Sequence, residues 1–258
     1  MKMVTLLLKK SYRHKDLKEV SFKNLWNDHG VFTTMRILGK PPKILFFKEH
    51  INNLVKSLKV YKINKKNLKK NILKLIKLNI NKHKKFDHLL RVAVNNKLIS
   101  VSLRKRYKPK LNFTLKLINY KRIDPEFKNL KYKKIHSYLK KIDTSKSDIA
   151  LYKNFKLLET GTSNLLFVKQ NKIYSPINEY YKGTTLNFFY KKIKIHKKNI
   201  FVDSLNNYDE IIVVGSGKGV VSTKSINGFP WQRRSLKYYT ILTKIYQQAI
   251  SKCARYNG

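Results

Sequence analysis

Segments with two different hydrophobic periods alternate along the first 120 residues, and this alternation limits the possible folds more than any other feature of the sequence. In two stretches, apolar side chains recur every three or four positions, which predicts amphipathic helices over residues 50–60 and 68–78. Around them, β-branched and aromatic residues are concentrated in short runs that end at turn residues. These runs predict strands at residues 1–10, 31–38, 44–47, 89–94 and 98–103. The N-terminal part should therefore form a small α/β domain.

From residue 113 onward, most strand signals come in pairs that flank tight turns, and amphipathic segments separate them. The runs predict strands at residues 113–118, 149–152, 156–158, 164–168, 172–174 and 211–214. The amphipathic segments predict helices at residues 135–142, 183–190 and 235–253. A polar connection near residues 107–125 separates these elements from the first group. We therefore predict two α/β domains, over residues 1–120 and 121–258.

Length and composition are typical of a globular protein. The 258 residues suffice for one large or two small cores, and a hydrophobic fraction of 42% is ordinary for a folded chain. No apolar run approaches the roughly 20 residues that a membrane-spanning helix needs. Cys253 is the only cysteine, which excludes a disulfide framework and a multi-cysteine zinc site, so we expect no metal. The apolar start turns basic, the reverse of a secretory signal, so we expect a cytoplasmic protein.

The net charge of +44, from 58 Lys and Arg against 14 Asp and Glu, allows two interpretations. One is a dedicated nucleic-acid-binding protein. The other is a compositional bias, because lysine, asparagine and isoleucine are all abundant. Arginine, which forms bidentate hydrogen bonds with phosphate and guanine, is sparse in this sequence. The basic residues are also spread along the whole chain. We therefore prefer the second interpretation, with a nonspecific attraction for nucleic acids and other anions.

Several short segments, taken in order, resemble a known family. They read Gly-Val-Phe-Thr-Thr-Met-Arg-Ile-Leu-Gly-Lys at 30–40, Phe-Lys-Asn-Leu-Lys-Tyr at 127–132, and Leu-Leu-Glu-Thr-Gly-Thr-Ser-Asn-Leu-Leu-Phe at 157–167, with glycine loops at 182–185 and 215–219. In order and spacing they resemble the class IV aminotransferases, which include branched-chain and D-amino acid aminotransferases and aminodeoxychorismate lyase. The resemblance implies a fold-type IV architecture, with a small N-terminal α/β domain and a larger, mixed, β-barrel-like C-terminal domain that binds pyridoxal 5'-phosphate (PLP).

The resemblance assigns the two groups that act on the cofactor ring. Glu159 matches the glutamate that faces the pyridine nitrogen, where a carboxylate keeps the ring protonated and so makes it a better electron sink. Lys128 matches the lysine that binds the cofactor covalently and later moves a proton. The family motif carries asparagine where this chain has Lys131, and Lys131 remains the alternative for the covalent lysine.

The resemblance also implies a phosphate site built from two loops. Thr184 and Thr185 follow Gly183 at the start of a predicted helix, where backbone N–H groups and a hydroxyl favour a bound phosphate. Ser216 and Gly217 match the second phosphate loop, with the serine hydroxyl in the position that contacts phosphate.

One position departs from the family pattern. Asn53 lies at the position where the family has an arginine, which binds the cofactor phosphate through a bidentate, charge-assisted contact. Three outcomes are compatible with this change: a nearby cation such as Lys56 substitutes, the cofactor binds weakly, or the chain has lost catalysis.

The pair Thr33-Thr34 favours aminodeoxychorismate lyase within the family. Aminotransferases of the family commonly carry glutamate at the first of these positions, whereas the lyase branch can carry Thr-Thr. Thr34 is a candidate substrate contact, and Arg36 and Arg91 lie on predicted strands as candidates to bind a substrate carboxylate. We therefore predict conversion of 4-amino-4-deoxychorismate to 4-aminobenzoate and pyruvate, a step toward folate.

Two other functions stay open. One is a branched-chain or D-amino acid aminotransferase, which shares all the cofactor residues. The other is a noncatalytic or nucleic-acid-binding relative, motivated by the charge and by Asn53. The family usually forms homodimers, which we expect here, together with an anionic small-molecule substrate and no membrane association.

Overall fold

A six-stranded antiparallel sheet and two helices form the first part of the protein. The computed structural model describes residues 6–256. The elements of this part are β1 (Leu6–Arg13), β2 (Glu19–Val20), β3 (Gly30–Gly39), β4 (Lys43–Ile44), α1 (Phe47–Val60), α2 (Leu68–Asn79), β5 (Phe86–Asn95) and β6 (Leu98–Lys105). The strand order is β2-β1-β6-β5-β3-β4. Residues 1–5 of the predicted first strand lie outside the described residues.

Alternation along β3 gives this strand two different faces. Val31 and Met35 are fully buried and share one cluster with apolar residues of α1 and α2, such as Leu54. Because successive side chains of a strand point to opposite faces, Phe32 and Thr34 face away from these helices. One face of β3 therefore supports the helices, and the other is available for a site.

A nine-stranded mixed sheet dominates the second part and curls into a half-barrel. Its strands are β7 (Phe113–Asn119), β8 (Ser147–Lys153), β9 (Lys156–Thr160), β10 (Asn164–Lys169), β11 (Lys172–Ser175), β12 (His196–Lys197), β13 (Glu210–Gly215), β14 (Gly219–Asn227) and β15 (Phe229–Gln232). The helices are α3 (Lys133–Leu139), α4 (Thr184–Tyr190) and α5 (Lys237–Ser251), with a 3-10 turn at Leu205–Asn207. The order is β12-β11-β10-β13-β14-β7-β8-β9, and β15 pairs with β14.

Large aromatic side chains fill the core of this second sheet. Phe113, Phe167 and Trp231 are almost completely buried in one cluster. The indole N–H of Trp231 donates to the carbonyl of Tyr208 at 2.7 Å, so burial leaves this donor paired. Helices and two sheets in one chain confirm the predicted α/β (α+β) class.

Side-chain and backbone packing divides the chain into two compact units. One unit holds residues 6–106, Phe127–Lys133 and 252–256 with the six-stranded sheet, and the other holds Tyr107–Glu126 and Lys134–Ser251 with the half-barrel sheet. The division into domains at residue 120 remains a proposal from the sequence. Among the described residues, none of the helices is both long enough and apolar enough to cross a bilayer.

Candidate functional site

A buried ion pair fixes Glu159 near the end of β9. The Nε–H of Arg122 donates to Oε1 of Glu159 at 2.6 Å, and the two side chains are only 1% and 7% exposed. A second N–H of Arg122 donates to the carbonyl of Pro125, also at 2.6 Å. Charge-assisted bonds of this kind are short and strong, and a buried carboxylate needs such a partner. The predicted ring-facing carboxylate is therefore held in one orientation by an arginine that no sequence motif had indicated.

A tight turn follows Glu159 and leads into β10. The hydroxyl of Thr160 accepts the backbone N–H of Ser163 at 2.8 Å and donates to the Asp148 carboxylate at 2.9 Å. A Cβ at Gly161 would approach the Ile149 side chain to 2.8 Å, so only glycine fits this close crossing. The turn thus depends on residues of β8 beneath it.

The start of α4 is attached to the same edge of the sheet. Asn164, the first residue of β10, donates its side-chain amide N–H to the Tyr181 carbonyl at 2.6 Å. Its side-chain oxygen accepts the backbone N–H of Gly183 at 3.0 Å. Asn164 also pairs in register with Val214 of β13, which runs antiparallel to β10. The end of β13 and the start of α4 therefore meet at the start of β10.

The two predicted phosphate loops come together at this edge. The hydroxyl oxygens of Thr185 and Ser216 lie 3.4 Å apart. Gly215, just before Ser216, packs so closely that an added Cβ would lie 2.5 Å from the Ser163 hydroxyl. Gly217 lies in the turn between β13 and β14. Hydroxyls and backbone amides at such a turn suit an anion, so the geometry supports the phosphate assignment.

Thr184, the remaining predicted phosphate contact, is the first residue of α4. It is 4% exposed, and Thr185 beside it is 1% exposed. Within residues 6–256, no side-chain hydrogen bond caps the N-terminus of this helix. Glu159, both threonines, Ser216 and Gly217 thus all belong to the half-barrel unit.

Lys128 belongs to the other unit, where its segment runs along β3. Its carbonyl accepts the N–H of Phe32 at 2.8 Å, and the next-but-one N–H, of Leu130, donates to the Gly30 carbonyl at 2.9 Å. Asn129 between them forms an isolated β-bridge with Val31, so the segment pairs with β3 without forming a regular strand. These bonds fix the backbone of Lys128 relative to β3.

The side chain of Lys128 lies on the face of β3 that is turned away from the helices. Its Nζ is 5.3 Å from the ring centre of Phe32 and 5.9 Å from that of Tyr132, within the range of cation–π contacts. Lys131, the alternative, is half-buried, and its backbone N–H donates to the side-chain oxygen of Asn129 at 3.1 Å. Both lysines therefore lie in one short segment, and Lys131 remains the alternative to Lys128.

Arg91 lies on the same face of the sheet, in register with Thr34. Its guanidinium carbon stacks 3.6 Å from the Trp26 ring centre, and one N–H donates to the Asn24 carbonyl at 2.8 Å. Its Nε is buried and has no hydrogen-bond partner among the described residues. Burial, with the charge of Arg104 as a smaller cause, lowers the pKa of Arg91 to about 9. An anionic partner would offset the free-energy cost of burying the charge of the Arg91 guanidinium.

Arg36, the other arginine predicted to bind a carboxylate, already faces one. Its Nη2 lies 3.4 Å from an oxygen of Asp87, although its Nε, like that of Arg91, has no hydrogen-bond partner among the described residues. The structure therefore favours Arg91 over Arg36 as a contact for a substrate carboxylate.

Thr33 and Thr34 have different environments. Thr33 is buried, and its hydroxyl lies 2.9 Å from Nδ1 of His50 on α1. Burial of His50, with the charge of Lys128 as a smaller cause, lowers the histidine pKa to about 3, so the ring is neutral at physiological pH. Thr34 is half-buried on the opposite face, as a substrate contact requires.

Asn53 is half-buried on α1, and its backbone carbonyl accepts the hydroxyl of Ser57 at 2.9 Å. Lys56, predicted as a substitute cation, is exposed one turn further along the helix. An amide thus occupies the position of the expected guanidinium, and the positive charge of that arginine is missing there.

Comparison with known proteins agrees with the resemblance. The pattern of one family, Amino-transferase class IV, matches residues 30–226. No curated protein sequence matches the chain. Among solved structures, the branched-chain aminotransferase of Thermoproteus uzoniensis with norvaline has a TM-score of 0.78 at 15% identity, covering 95% of each chain.

Two further solved structures show the same fold. A branched-chain amino acid aminotransferase from T.th., complexed with N-(5'-phosphopyridoxyl)-L-glutamate, has a TM-score of 0.77 at 16% identity, covering 96% of this chain and 95% of the other. A Legionella pneumophila protein, provisionally assigned as a 4-amino-4-deoxychorismate lyase, has a TM-score of 0.69 at 16% identity, covering 86% of this chain and 91% of the other. These similarities confirm the fold expected from the sequence.

Proposed function

The chain belongs to the class IV aminotransferases, and on this basis we propose that it is a PLP-dependent lyase that converts 4-amino-4-deoxychorismate to 4-aminobenzoate and pyruvate. The cofactor follows from the family, in which a solved relative binds a phosphopyridoxyl amino acid. We also propose that the enzyme is a cytoplasmic homodimer, and that its substrate is a small anion.

The residues of the half-barrel unit fit PLP. Glu159 offers one buried carboxylate for a protonated ring nitrogen, and Thr185 and Ser216 offer two hydroxyls 3.4 Å apart for a phosphate ester. When bound, PLP withdraws electrons from the substrate carbon that carries the amine. The convergence of the Glu159 turn and both hydroxyl loops at one sheet edge is the single observation that carries the proposal.

Glu159 acts through its charge and its fixed position. A carboxylate that accepts the ring N–H stabilises the positive charge on that ring. Arg122 holds the carboxylate at 2.6 Å, so Glu159 is oriented before any ligand arrives. A charged group that needs no reorganisation contributes more to a transition state than one that must first be positioned.

We assign Lys128 two roles, covalent attachment of the cofactor and proton transfer. With the substrate amine in place, the free amine of Lys128 would remove the proton from the amine-bearing ring carbon of the substrate. The electron pair of that C–H bond forms a ring double bond while the C–O bond to the enol of pyruvate breaks. The ring becomes aromatic, and the departing enolate takes up a proton on carbon to give pyruvate. Hydrogen bonds to β3 fix the Lys128 backbone, so only its side chain has to move.

Two observations support the lyase over an aminotransferase. The substrate carries two carboxylates, and Arg91 presents a half-buried guanidinium whose buried Nε has no hydrogen-bond partner among the described residues. Threonines occupy positions 33 and 34, so no carboxylate side chain repels an anionic substrate there. Thr34, beside Arg91 in register, is assigned as a neutral hydrogen-bonding contact to that substrate.

An aminotransferase is the second candidate. The structural similarity to two branched-chain aminotransferases, with TM-scores of 0.78 and 0.77, favours it. Its cofactor residues would be the same, so only the substrate distinguishes the two functions.

Supplying each substrate to the PLP-loaded protein separates the candidates. From 4-amino-4-deoxychorismate we expect 4-aminobenzoate and pyruvate in equal amounts. Fluorescence measures the 4-aminobenzoate, and a coupled dehydrogenase assay measures the pyruvate. Amino transfer from branched-chain or D-amino acids to 2-oxoglutarate, without pyruvate release, would establish the second candidate instead. The variant Lys128→Ala is the control for both assays, because either reaction needs the lysine.

A further inference from the structure

We propose that Asp148 and Lys218 form a positioning pair that holds the turn after Glu159 and the loop carrying Ser216 at a fixed separation, and thereby sets how tightly PLP binds. This inference rests on the proposed function, because it concerns the same cofactor loops. Asp148 lies outside the segments from which the cofactor contacts were predicted. Lys218 lies inside the second glycine loop, but no role was predicted for it.

Asp148 binds the turn that follows Glu159. It lies on β8 and is completely buried. One carboxylate oxygen accepts the hydroxyls of Thr160 at 2.9 Å and of Thr162 at 2.7 Å. The other accepts the N–H of Ile149 at 2.8 Å. Three donors therefore converge on one carboxylate, and two of them belong to the turn.

Lys218 connects the second loop to the same carboxylate. Its Nζ donates to the Thr144 carbonyl at 2.9 Å and lies 3.8 Å from the Asp148 oxygen that also binds the two threonines. The Lys218 side chain is only 10% exposed, and its Nζ is 4.9 Å from the ring centre of Phe113. Since Ser216 is two residues earlier in the same hairpin turn, fixing Lys218 restricts the position of the Ser216 hydroxyl.

The charges explain why the two residues act together. A buried carboxylate is costly unless it is paired, and a buried ammonium has the same requirement. Removing Lys218 leaves Asp148 with its three donors but without the countercharge, so the glycine-rich loop loses its anchor while the turn is largely retained. Because glycines at 215, 217 and 219 make this loop backbone permissive, we expect the loop to move once the anchor is lost.

The position of the pair distinguishes it from an ordinary structural ion pair. On one side it holds the turn directly after the carboxylate assigned to the ring nitrogen, and on the other it holds the loop that carries the hydroxyl assigned to the phosphate. Ser163, in the turn, packs closely against Gly215 of the loop, because its hydroxyl lies 2.5 Å from the position that a Cβ on Gly215 would take. A shift of about 1 Å in such a contact is enough to weaken its function strongly.

The test is the PLP affinity of Lys218→Met, a variant that keeps most of the length of the side chain and removes its charge. We expect the PLP dissociation constant, measured by fluorescence quenching, to rise about tenfold, the scale of one charge-assisted hydrogen bond. The phosphorus NMR signal of bound PLP should shift, because it reports on the phosphate environment. Lys218→Arg should restore much of the affinity. Lys224→Met, an exposed lysine on the neighbouring strand β14, is the matched control and should change neither quantity.

The outcomes separate this inference from the proposed function. If the wild-type protein binds no PLP, both are overturned. If it binds PLP and Lys218→Met has the affinity and phosphorus signal of wild type and of Lys224→Met, only the positioning pair is overturned. Should Lys218→Met not fold, Thr162→Val, which removes one hydroxyl from Asp148, replaces it. We expect a smaller loss of affinity for Thr162→Val, and an unchanged affinity would overturn the pair.

Discussion

The guanidinium of Arg122 lies 2.6 Å from the carboxylate of Glu159, and both groups are nearly inaccessible to solvent. The two residues are 37 positions apart in the sequence, yet the pair fixes the orientation of the carboxylate assigned to the cofactor nitrogen. Each partner compensates the buried charge of the other, so stability and cofactor chemistry depend on the same contact.

Replacing Arg122 by methionine should destabilise the protein strongly. The change leaves the Glu159 charge buried without its countercharge, and we expect a loss of about 3–5 kcal/mol in the free energy of unfolding. Urea unfolding measures it. Lys121→Met is the control, because the neighbouring ion pair with Glu179 is 40% exposed on each side and should contribute less than about 1 kcal/mol. The double variant Arg122→Met/Glu159→Gln should recover part of the loss, and equal losses in single and double variants would contradict the pairing.

His50 should make the protein less stable in acid. Its pKa is lowered from 6.5 to about 3, mainly by burial. Between pH 6.5 and about pH 3, His50 is protonated in the unfolded chain but remains neutral in the folded protein. The contribution of His50 to the free energy of unfolding is therefore fully present above pH 6.5. It decreases as the pH falls toward 3, by about 2 kcal/mol at pH 5.

Urea unfolding between pH 7 and pH 4 measures this dependence. His50→Gln should flatten the acid side of the stability curve relative to wild type. His29→Gln, which replaces an exposed histidine, is the matched control. Parallel curves for His50→Gln and wild type would show that His50 does not carry the effect.

Arg91→Met should weaken substrate binding more than turnover. Loss of a carboxylate contact that is present in both ground and transition states raises KM with little change in kcat, and we expect at least about a tenfold rise. Arg91→Lys should recover only part of it, because an ammonium cannot form the bidentate contact. Arg36→Met is the comparison, since Arg36 already faces Asp87. Steady-state kinetics measure both KM values. A larger rise in KM for Arg36→Met than for Arg91→Met would show that Arg36, and not Arg91, binds the substrate carboxylate.

Asn53→Arg should tighten cofactor binding. The family places an arginine on the PLP phosphate at this position, and a charge-assisted contact would lower the PLP dissociation constant by about tenfold or more. Asn52→Arg adds the same charge at an exposed neighbouring position of α1 and controls for the general attraction of a more basic protein. Equal affinities for the two variants would show that residue 53 does not face the phosphate.

Elements with a clear side-chain period could be predicted from the sequence. The helix expected at 68–78 is found at Leu68–Asn79, and the hairpin expected at 89–94 and 98–103 is found at Phe86–Asn95 and Leu98–Lys105. The helix buries Leu68, Ile72, Leu75 and Ile76, at the spacing of three or four residues that its sequence pattern predicts. The sequence analysis predicts no strand at β14 or β15, although Val220, Val221 and Thr223 of β14 carry a strand signal.

The strand expected at 44–47 was wrong in its second half. β4 ends at Ile44, and α1 begins at Phe47. Between them, Phe46 adopts a left-handed conformation with φ of 55°, which turns the chain into the helix. A non-glycine residue rarely adopts this conformation, so no local propensity would have predicted the turn.

The supporting contacts of the candidate site could not be predicted at all. Glu159, Thr185 and Ser216 were recognised because they belong to short segments with a family pattern. Arg122 and Asp148 belong to no such segment, and their partners are identified only by the folded chain. Ion pairs across long sequence separations leave no periodic signal, so the structure is needed to find them.

The most direct test of the proposed chemistry is to reduce the PLP-loaded protein with borohydride and map the modified peptide by mass spectrometry. We predict loss of the visible absorption of the bound cofactor and one phosphopyridoxyl group on Lys128, absent from Lys128→Ala. Modification at Lys131, or scattered modification of surface lysines that persists in Lys128→Ala, would contradict the assignment of Lys128.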